Sequence, residues 1–316
     1  MATSTSAARP IAAVGGTTAE HPLFAQVAPL VFVFIWSTGF IGARYGLPYA
    51  EPFTYLALRM IIAGTLMAAF AVVRRGAWPE SWRQTGHIAV SGLLLHAGYL
   101  GGVFFAISRG MPAGISALVV GLQPILTAVI ASILLREHVS PRQWLGLALG
   151  FAGVAIVVIE RMRINEGGDR SSALAADVAI LIALLATTAG TIYQKRHNTG
   201  MPLASGTAIQ YATTAVAVGL LAVLTETMHI DWTARFIFAL SWQVIVLSLV
   251  AITLLMILIR QNSVSRLSSY LYLVPPLTAI EAYLLFGERL SPAAVGGMAL
   301  VAVGVALVVV RRTAQR

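Results

Sequence analysis

Ten apolar stretches, each near the length needed to cross a lipid bilayer, follow one another along this chain and leave little sequence for anything else. They fall at about 25–43, 53–73, 88–107, 113–135, 143–159, 174–193, 204–225, 241–259, 267–286 and 293–310. A membrane helix uses about 20 apolar residues, so ten of them absorb most of the apolar content of a 316-residue chain that is 58% hydrophobic and 10% charged. Soluble domains carry about 25% charge. The expected fold class is an all-α membrane protein with ten transmembrane helices, and a soluble enzyme is excluded. The runs are too long and too uniformly apolar for the alternating strands of a barrel.

A net charge of +9 would point to nucleic acid in a soluble chain, but here the basic residues lie between apolar runs, where they orient a membrane protein. No nucleic-acid partner is expected; the bilayer is. The absence of cysteine removes disulfides, thiolate catalysis and cysteine-based metal sites. Residues 1–22, rich in Ser, Thr and Ala with one arginine, read as a disordered cytoplasmic tail rather than a cleaved signal or a transit peptide. With the N-terminus inside, about 13 Lys and Arg fall on the cytoplasmic side and 7 outside, with Arg59 left within a span. Both termini are expected to be cytoplasmic. The outer loop holding Arg161, Arg163 and Arg170 is the weakest part of that bias.

The chain also repeats itself. Shifted by 151 residues, Leu122 to Arg161 aligns with Leu273 to Arg312 without a gap, and about 18 of those 40 positions are identical, more than unrelated apolar helices achieve. Pro124 meets Pro275, Glu137 meets Glu288, Ser140-Pro141 meets Ser291-Pro292, and Gly39 meets Gly190. The expected organisation is one repeat over 23–161, a linker over 162–173 and a second repeat over 174–312. Five spans is an odd number, so the second repeat enters the membrane from the opposite side. Such inverted repeats present one central site alternately to each face.

Trp36-Ser37-Thr38-Gly39-Phe40 in the first span, Arg59 in the second, and a proline-containing span followed by Glu-X-X-Ser-Pro in each half resemble the EamA-type family of the drug/metabolite transporter superfamily. The likeness runs from about Leu23 to Arg312. It implies a ten-helix carrier of the bacterial inner membrane, most often an exporter of amino acids or related metabolites, and it brings Ser37 and Thr38 beside Trp36 into the candidate site. It also makes Arg59 a recurrent helix-locking feature.

The duplication supplies an internal control. A residue kept in both halves reads as scaffold, and a polar residue present in one half only reads as a functional candidate. Glu137 and Glu288 are kept, each before a serine N-cap with proline at the first helical position, and read as structural. Pro124 and Pro275-Pro276 should interrupt spans four and nine near the bilayer centre. Gln123, opposite Val274, flanks the first interruption. His96, opposite Leu247, faces water, a ligand or a neighbouring helix. Glu281, opposite Ile130, binds a substrate amine, carries a proton, or sits hydrated near the outer surface. Trp36, Tyr99, Tyr193, Tyr270 and Tyr272 complete the candidate substrate-binding set as aromatic walls, while Trp242 and the remaining tryptophans read as interface anchors. Asp177, near the start of span six, reads as interfacial. Glycine stripes in spans five and ten permit close helix approach, within one chain or in a homodimer.

The expected function is secondary transport of a small metabolite, with no cofactor, no metal and no catalytic residue. The chain has no phosphate-binding Gly-X-X-X-X-Gly-Lys-Ser/Thr loop. Proton exchange through His96 or Glu281 is one coupling route. A sugar-phosphate or nucleotide-sugar carrier would need paired cations in the cavity. A membrane-embedded hydrolase would need a His-Glu-X-X-His or Gly-X-Ser-X-Gly motif, and neither occurs. A helper subunit that does not itself transport is a third class.

Overall fold

The computed structural model describes residues 22–134, 140–164, 169–260 and 271–309, and these are helical apart from short connections. The expected tail and Tyr270 lie outside the described residues. In chain order the helices are α1 (Pro22–Gly46), α2 (Pro52–Val73), α3 (Trp82–Ser108), α4 (Ala113–Leu134), α5 (Pro141–Ile164), α6 (Arg170–His197) and α7 (Leu203–Thr225). They continue with α8 (Ala234–Ser241, Trp242–Ala251 and Ile252–Arg260), α9 (Val274–Phe286, entered through a 3-10 turn at Leu271–Leu273) and α10 (Pro292–Val309). Eight of these are long and apolar enough to cross a membrane; Leu271–Phe286 and Pro292–Val308 are apolar but shorter. Among the described residues the extended pairing amounts to a single bridge between Ala50 and Ile230. Large apolar side chains such as Phe70, Leu185, Val216 and Leu284 point outward, as lipid contact requires.

Helix starts follow the local sequence. Proline occupies the first position of α2, α5 and α10, where its missing N–H costs nothing. Ser291 Oγ accepts from Ala294 N at 3.0 Å to cap α10, and Ser140 does the same for α5 through Gln143 N at 3.3 Å. Asp169 caps α6; the Ser171 hydroxyl, then the backbone amides of Ser172 and Ser171, hold its carboxyl below the ordinary carboxylate range. This cap starts α6 inside the stretch assigned to the linker, and α5 likewise runs on to Ile164. Asp177, near the start of α6, is buried and ion-paired with Arg161.

Packing between the halves follows the 151-residue offset. Gly146 meets Gly304 and Gly153 meets Gly297 so closely that a Cβ on Gly146 or Gly304 would lie 2.5 Å from the other's carbonyl oxygen. The offset equates Gly146 with Gly297 and Gly153 with Gly304, so each contact is the other with its partners exchanged, the mark of a twofold relation. The pairing also runs 146 to 304 and 153 to 297, so α5 and α10 are antiparallel. Equivalent helices α2 and α7 are antiparallel too. Phe53 N and Thr54 N, at the start of α2, donate to the Glu226 carboxylate just past the end of α7 at 2.8 and 2.7 Å. Ser205 Oγ, at the start of α7, donates to Ala77 O beyond the end of α2 at 2.6 Å. α1 packs on α8 and α9, and α6, its equivalent, packs on α3 and α4.

Three helices are irregular. α3 carries a π-helical turn at Leu93–Gly98 and α8 carries one at Trp242–Ala251. The offset places 93–98 at 244–249, inside the second. α4 breaks at Gly121–Leu122 and resumes at Gln123 with Pro124 in second place, the interruption expected there.

Gly304→Ala and Gly296→Ala separate contact from helix propensity, since both gain the same propensity while only the first drives a Cβ into backbone; Gly296 has open space around it. Thermal melting in detergent should show Gly304→Ala destabilised by about 1–3 kcal/mol, the range for overpacking, and Gly296→Ala unchanged or slightly more stable.

Candidate functional site

Two adjoining chambers lie between the halves. The smaller, about 300 Å³, is lined in part by Trp36, Phe40, Arg59, His96, Tyr99 and Gln123 from the first half and by Thr187, Thr191, Gln194, Gln210, Tyr211 and Leu247 from the second. The larger, about 640 Å³, shares Trp36, Phe40, Tyr99 and Gln123 with it and adds Phe32, Tyr272 and the proline-bearing segments around Gly121-Pro124 and Pro275-Pro276. The offset pairs Trp36 with Thr187, Phe40 with Thr191, Arg59 with Gln210 and His96 with Leu247. All eight residues line the smaller chamber, which therefore sits where the twofold relation of the halves passes.

The irregular helices position its polar groups. In the π-turn of α8, Ser248 Oγ donates to Gln243 O five residues back at 3.0 Å. Arg59 Nε donates to the Ser248 hydroxyl at 3.1 Å, and Tyr211 OH donates to Ser248 O at 3.2 Å. At the break of α4, Gln123 Nε2 donates to Thr191 Oγ1 at 2.9 Å. Gln210 Nε2 donates to Gln194 Oε1 at 3.1 Å. His96, in the π-turn of α3, meets the Tyr211 ring edge-on with centroids 5.0 Å apart. Neutral donors, one imidazole and one guanidinium thus face a space walled by aromatic rings, an arrangement that can bind a small amphipathic molecule.

Of the residues expected from sequence, Trp36, His96, Tyr99, Gln123 and Tyr272 line these chambers. Ser37 and Glu281 meet each other instead: Ser37 Oγ donates to Glu281 Oε1 at 2.7 Å across the α1–α9 contact. Thr38 accepts from Trp242 Nε1 at 2.9 Å between α1 and α8, which places that indole in a helix contact rather than free at the interface. Tyr193 bonds His87 Nδ1 at 2.7 Å and packs on His197, near the start of α3 and the end of α6. Sequence reasoning passed over Thr187, Thr191, Gln194, Gln210 and Tyr211, and it assigned Arg59 to helix locking. The offset held the signal, since the partners of Trp36, Phe40 and Arg59 are all polar.

At the end of the molecule where α1, α3 and α7 finish, carboxylates latch the helices. Arg44 Nε donates to Glu288 Oε1 at 3.2 Å, while Glu288 Oε2 accepts from Ala113 N, the first residue of α4, at 3.0 Å. The Glu51 carboxylate accepts from Thr227 N at 2.8 Å and Met228 N at 3.0 Å, beyond the end of α7. Glu288 is therefore structural, although it caps α4 rather than the helix that follows it.

Helices of this length and apolarity, closed around a polar chamber built by both halves of the chain, define a multi-pass membrane transport protein. The chain belongs to the EamA-like transporter family, whose family model matches residues 23–159 and 174–310. It is 25% identical over 288 residues to the uncharacterized transporter YvbV of Bacillus subtilis, covering 90% of this chain and 91% of that one. It is 27% identical over 270 residues to the uncharacterized inner membrane transporter YedA of Escherichia coli, covering 85% of each. A Salmonella typhimurium protein named "Probable amino-acid metabolite efflux pump" is 24% identical over 301 residues, covering 90% of this chain and 96% of its own. One solved crystal structure shares the fold at a TM-score of 0.62 and 19% identity, covering 90% of this chain and 96% of that one.

Because the chain has no native cysteine, a single Thr187→Cys reports on the smaller chamber. Glu288→Gln, which breaks the latch, should raise the rate at which a membrane-impermeant thiol reagent reaches that cysteine from the latched face several-fold. An unchanged rate would show that the latch does not control access.

Proposed function

We propose that the protein is a secondary transporter of ten transmembrane helices in two inverted five-helix repeats, which exports a small amphipathic metabolite, an amino acid or a related compound, by alternating access. The observation that carries this reading is the chamber lined by equivalent positions of both halves, between halves whose equivalent helices run antiparallel. Rocking of one half against the other about such a centre opens it to each side in turn. The charge bias places both termini in the cytoplasm and the carboxylate latch outside, so the conformation described here is closed to the exterior. A relative named as an inner membrane transporter supports the location, and another named for amino-acid metabolites supports the substrate class.

Among the described lining residues of both chambers, Arg59 is the one fixed cation. A sugar phosphate, which calls for several, is the poorer fit. For proton coupling, His96 is the better placed group because it faces the chamber, whereas Glu281 is engaged in the α1–α9 contact.

Purified protein in proteoliposomes should move one or more labelled amino acids saturably with no nucleotide present, and a counter-gradient of the same compound should accelerate that flux. Trp36→Ala should lower the flux at least about tenfold, as loss of a central aromatic anchor does in binding sites. His96→Gln should abolish acceleration by an imposed pH gradient. No saturable flux across a full panel of amino acids and related metabolites would refute the transport reading.

A further inference from the structure

The guanidinium of Arg59 is the group the transport reading leaves without a task. Its residue is 6% exposed and lies about two turns into α2, within an apolar span. Nε is held by the Ser248 hydroxyl at 3.1 Å. The two terminal nitrogens make no hydrogen bond to the described residues, and no described carboxylate lies within ion-pair distance. The side chain lines the smaller chamber. A charge kept in such a place without a partner is costly, and the cost falls when an anion arrives to accept from both free nitrogens.

The surroundings narrow what that anion is. With a single fixed cation, the chamber neutralises one negative charge, and the flat fork of a guanidinium fits the two oxygens of a carboxylate. The larger chamber next door is walled by Phe32, Trp36, Phe40, Tyr272 and the prolines, so an apolar or aromatic tail fits there. Among the described residues, neither chamber is lined by a carboxylate free to pair with an ammonium group. Glu288, the acid that lines the larger chamber, has one oxygen on Arg44 and the other on the Ala113 amide. Glu281 lines neither chamber: its Oε1 accepts from Ser37, and its Oε2 is buried between helices with no hydrogen-bond partner among the described residues.

We infer that Arg59 is the anchor for a substrate carboxylate, that the amine of an amino acid is tolerated rather than read, and that the physiological substrates include monocarboxylates with an apolar tail and no amine. This deepens the transport reading and rests on it for the word substrate, while the binding chemistry is independent of movement across the membrane. Ser248 is the positioning residue: holding Nε, it turns the other two nitrogens toward the chamber.

The test is equilibrium binding of labelled phenylacetate to the full chain in lipid nanodiscs, with competition by unlabelled phenylacetate, phenylalanine, phenethylamine and phenylacetamide, and flux of the same compounds in proteoliposomes. Phenylacetate and phenylalanine should compete within about threefold of each other, and the amine and the amide at least about tenfold more weakly, the scale of a lost charge-assisted pair. Arg59→Gln should remove that preference, and Arg59→Lys should retain part of it. The competition series on the unaltered protein stands even if a variant at Arg59 fails to fold. Equal competition by the amide or the amine would overturn the inference, as would no saturable binding of phenylacetate at millimolar concentration. Binding of carboxylates without flux would uphold Arg59 as the carboxylate anchor and refute transport; amino-acid flux without carboxylate binding would do the reverse.

Discussion

Backbone-to-backbone contact between α5 and α10 fixes how the two halves of this protein meet. Four glycines bring the helices together where a single added methyl group would strike a carbonyl oxygen. In lipid, where burial of apolar surface gives no driving force between helices, such close approach supplies the dispersion energy that holds a bundle together. Because the contacts exchange under the 151-residue offset, they set an axis, and the remaining interfaces obey it: α2 against α7, and α1 against α8 and α9 mirrored by α6 against α3 and α4.

The axis also decides where polarity is tolerated. A polar side chain at membrane depth must face protein or a cavity, and the chamber on the axis collects Arg59, His96, three glutamines and three threonines from both halves. The backbone departs from regular α-helix in the same region, in the π-turns of α3 and α8 and the break in α4. These departures aim Ser248, His96 and Gln123 at the chamber or at its partners, as π-bulges at functional sites commonly do. Duplication kept the π-turns in both halves while the side chains diverged, so a symmetric scaffold carries an asymmetric site.

How much of this could be read from sequence depended on which physical signal each feature leaves. Long apolar runs located the helices, and the repeat named equivalent positions, because both are periodic over many residues. The serine–proline caps of α5 and α10 were legible for the same local reason. The π-turns left no such trace: that of α3 lies where Gly92 and Gly98 let the helix press against α7 and α6, and that of α8 contains no glycine. The separation of Ser37, Thr38, Tyr193 and Glu281 from the chamber was hidden as well: each sits at a plausible depth, and only the direction of the side chain around its helix decides what it meets. Arg59, read from the family resemblance as helix-locking, does bind Ser248 of α8, and its place beside the chamber opposite Gln210 follows from the repeat offset.

The claim everything rests on is that equivalent positions of the two halves face opposite sides of the membrane. Pro48 and Thr199 are exposed, lie in connections at corresponding ends of α1 and α6, and differ by the same offset. With no native cysteine to interfere, Pro48→Cys and Thr199→Cys can each be exposed to a membrane-impermeant maleimide in intact cells and in inverted vesicles. The account predicts that residue 48 is labelled only from outside and residue 199 only from the cytoplasmic side. Labelling of both from the same side would contradict it.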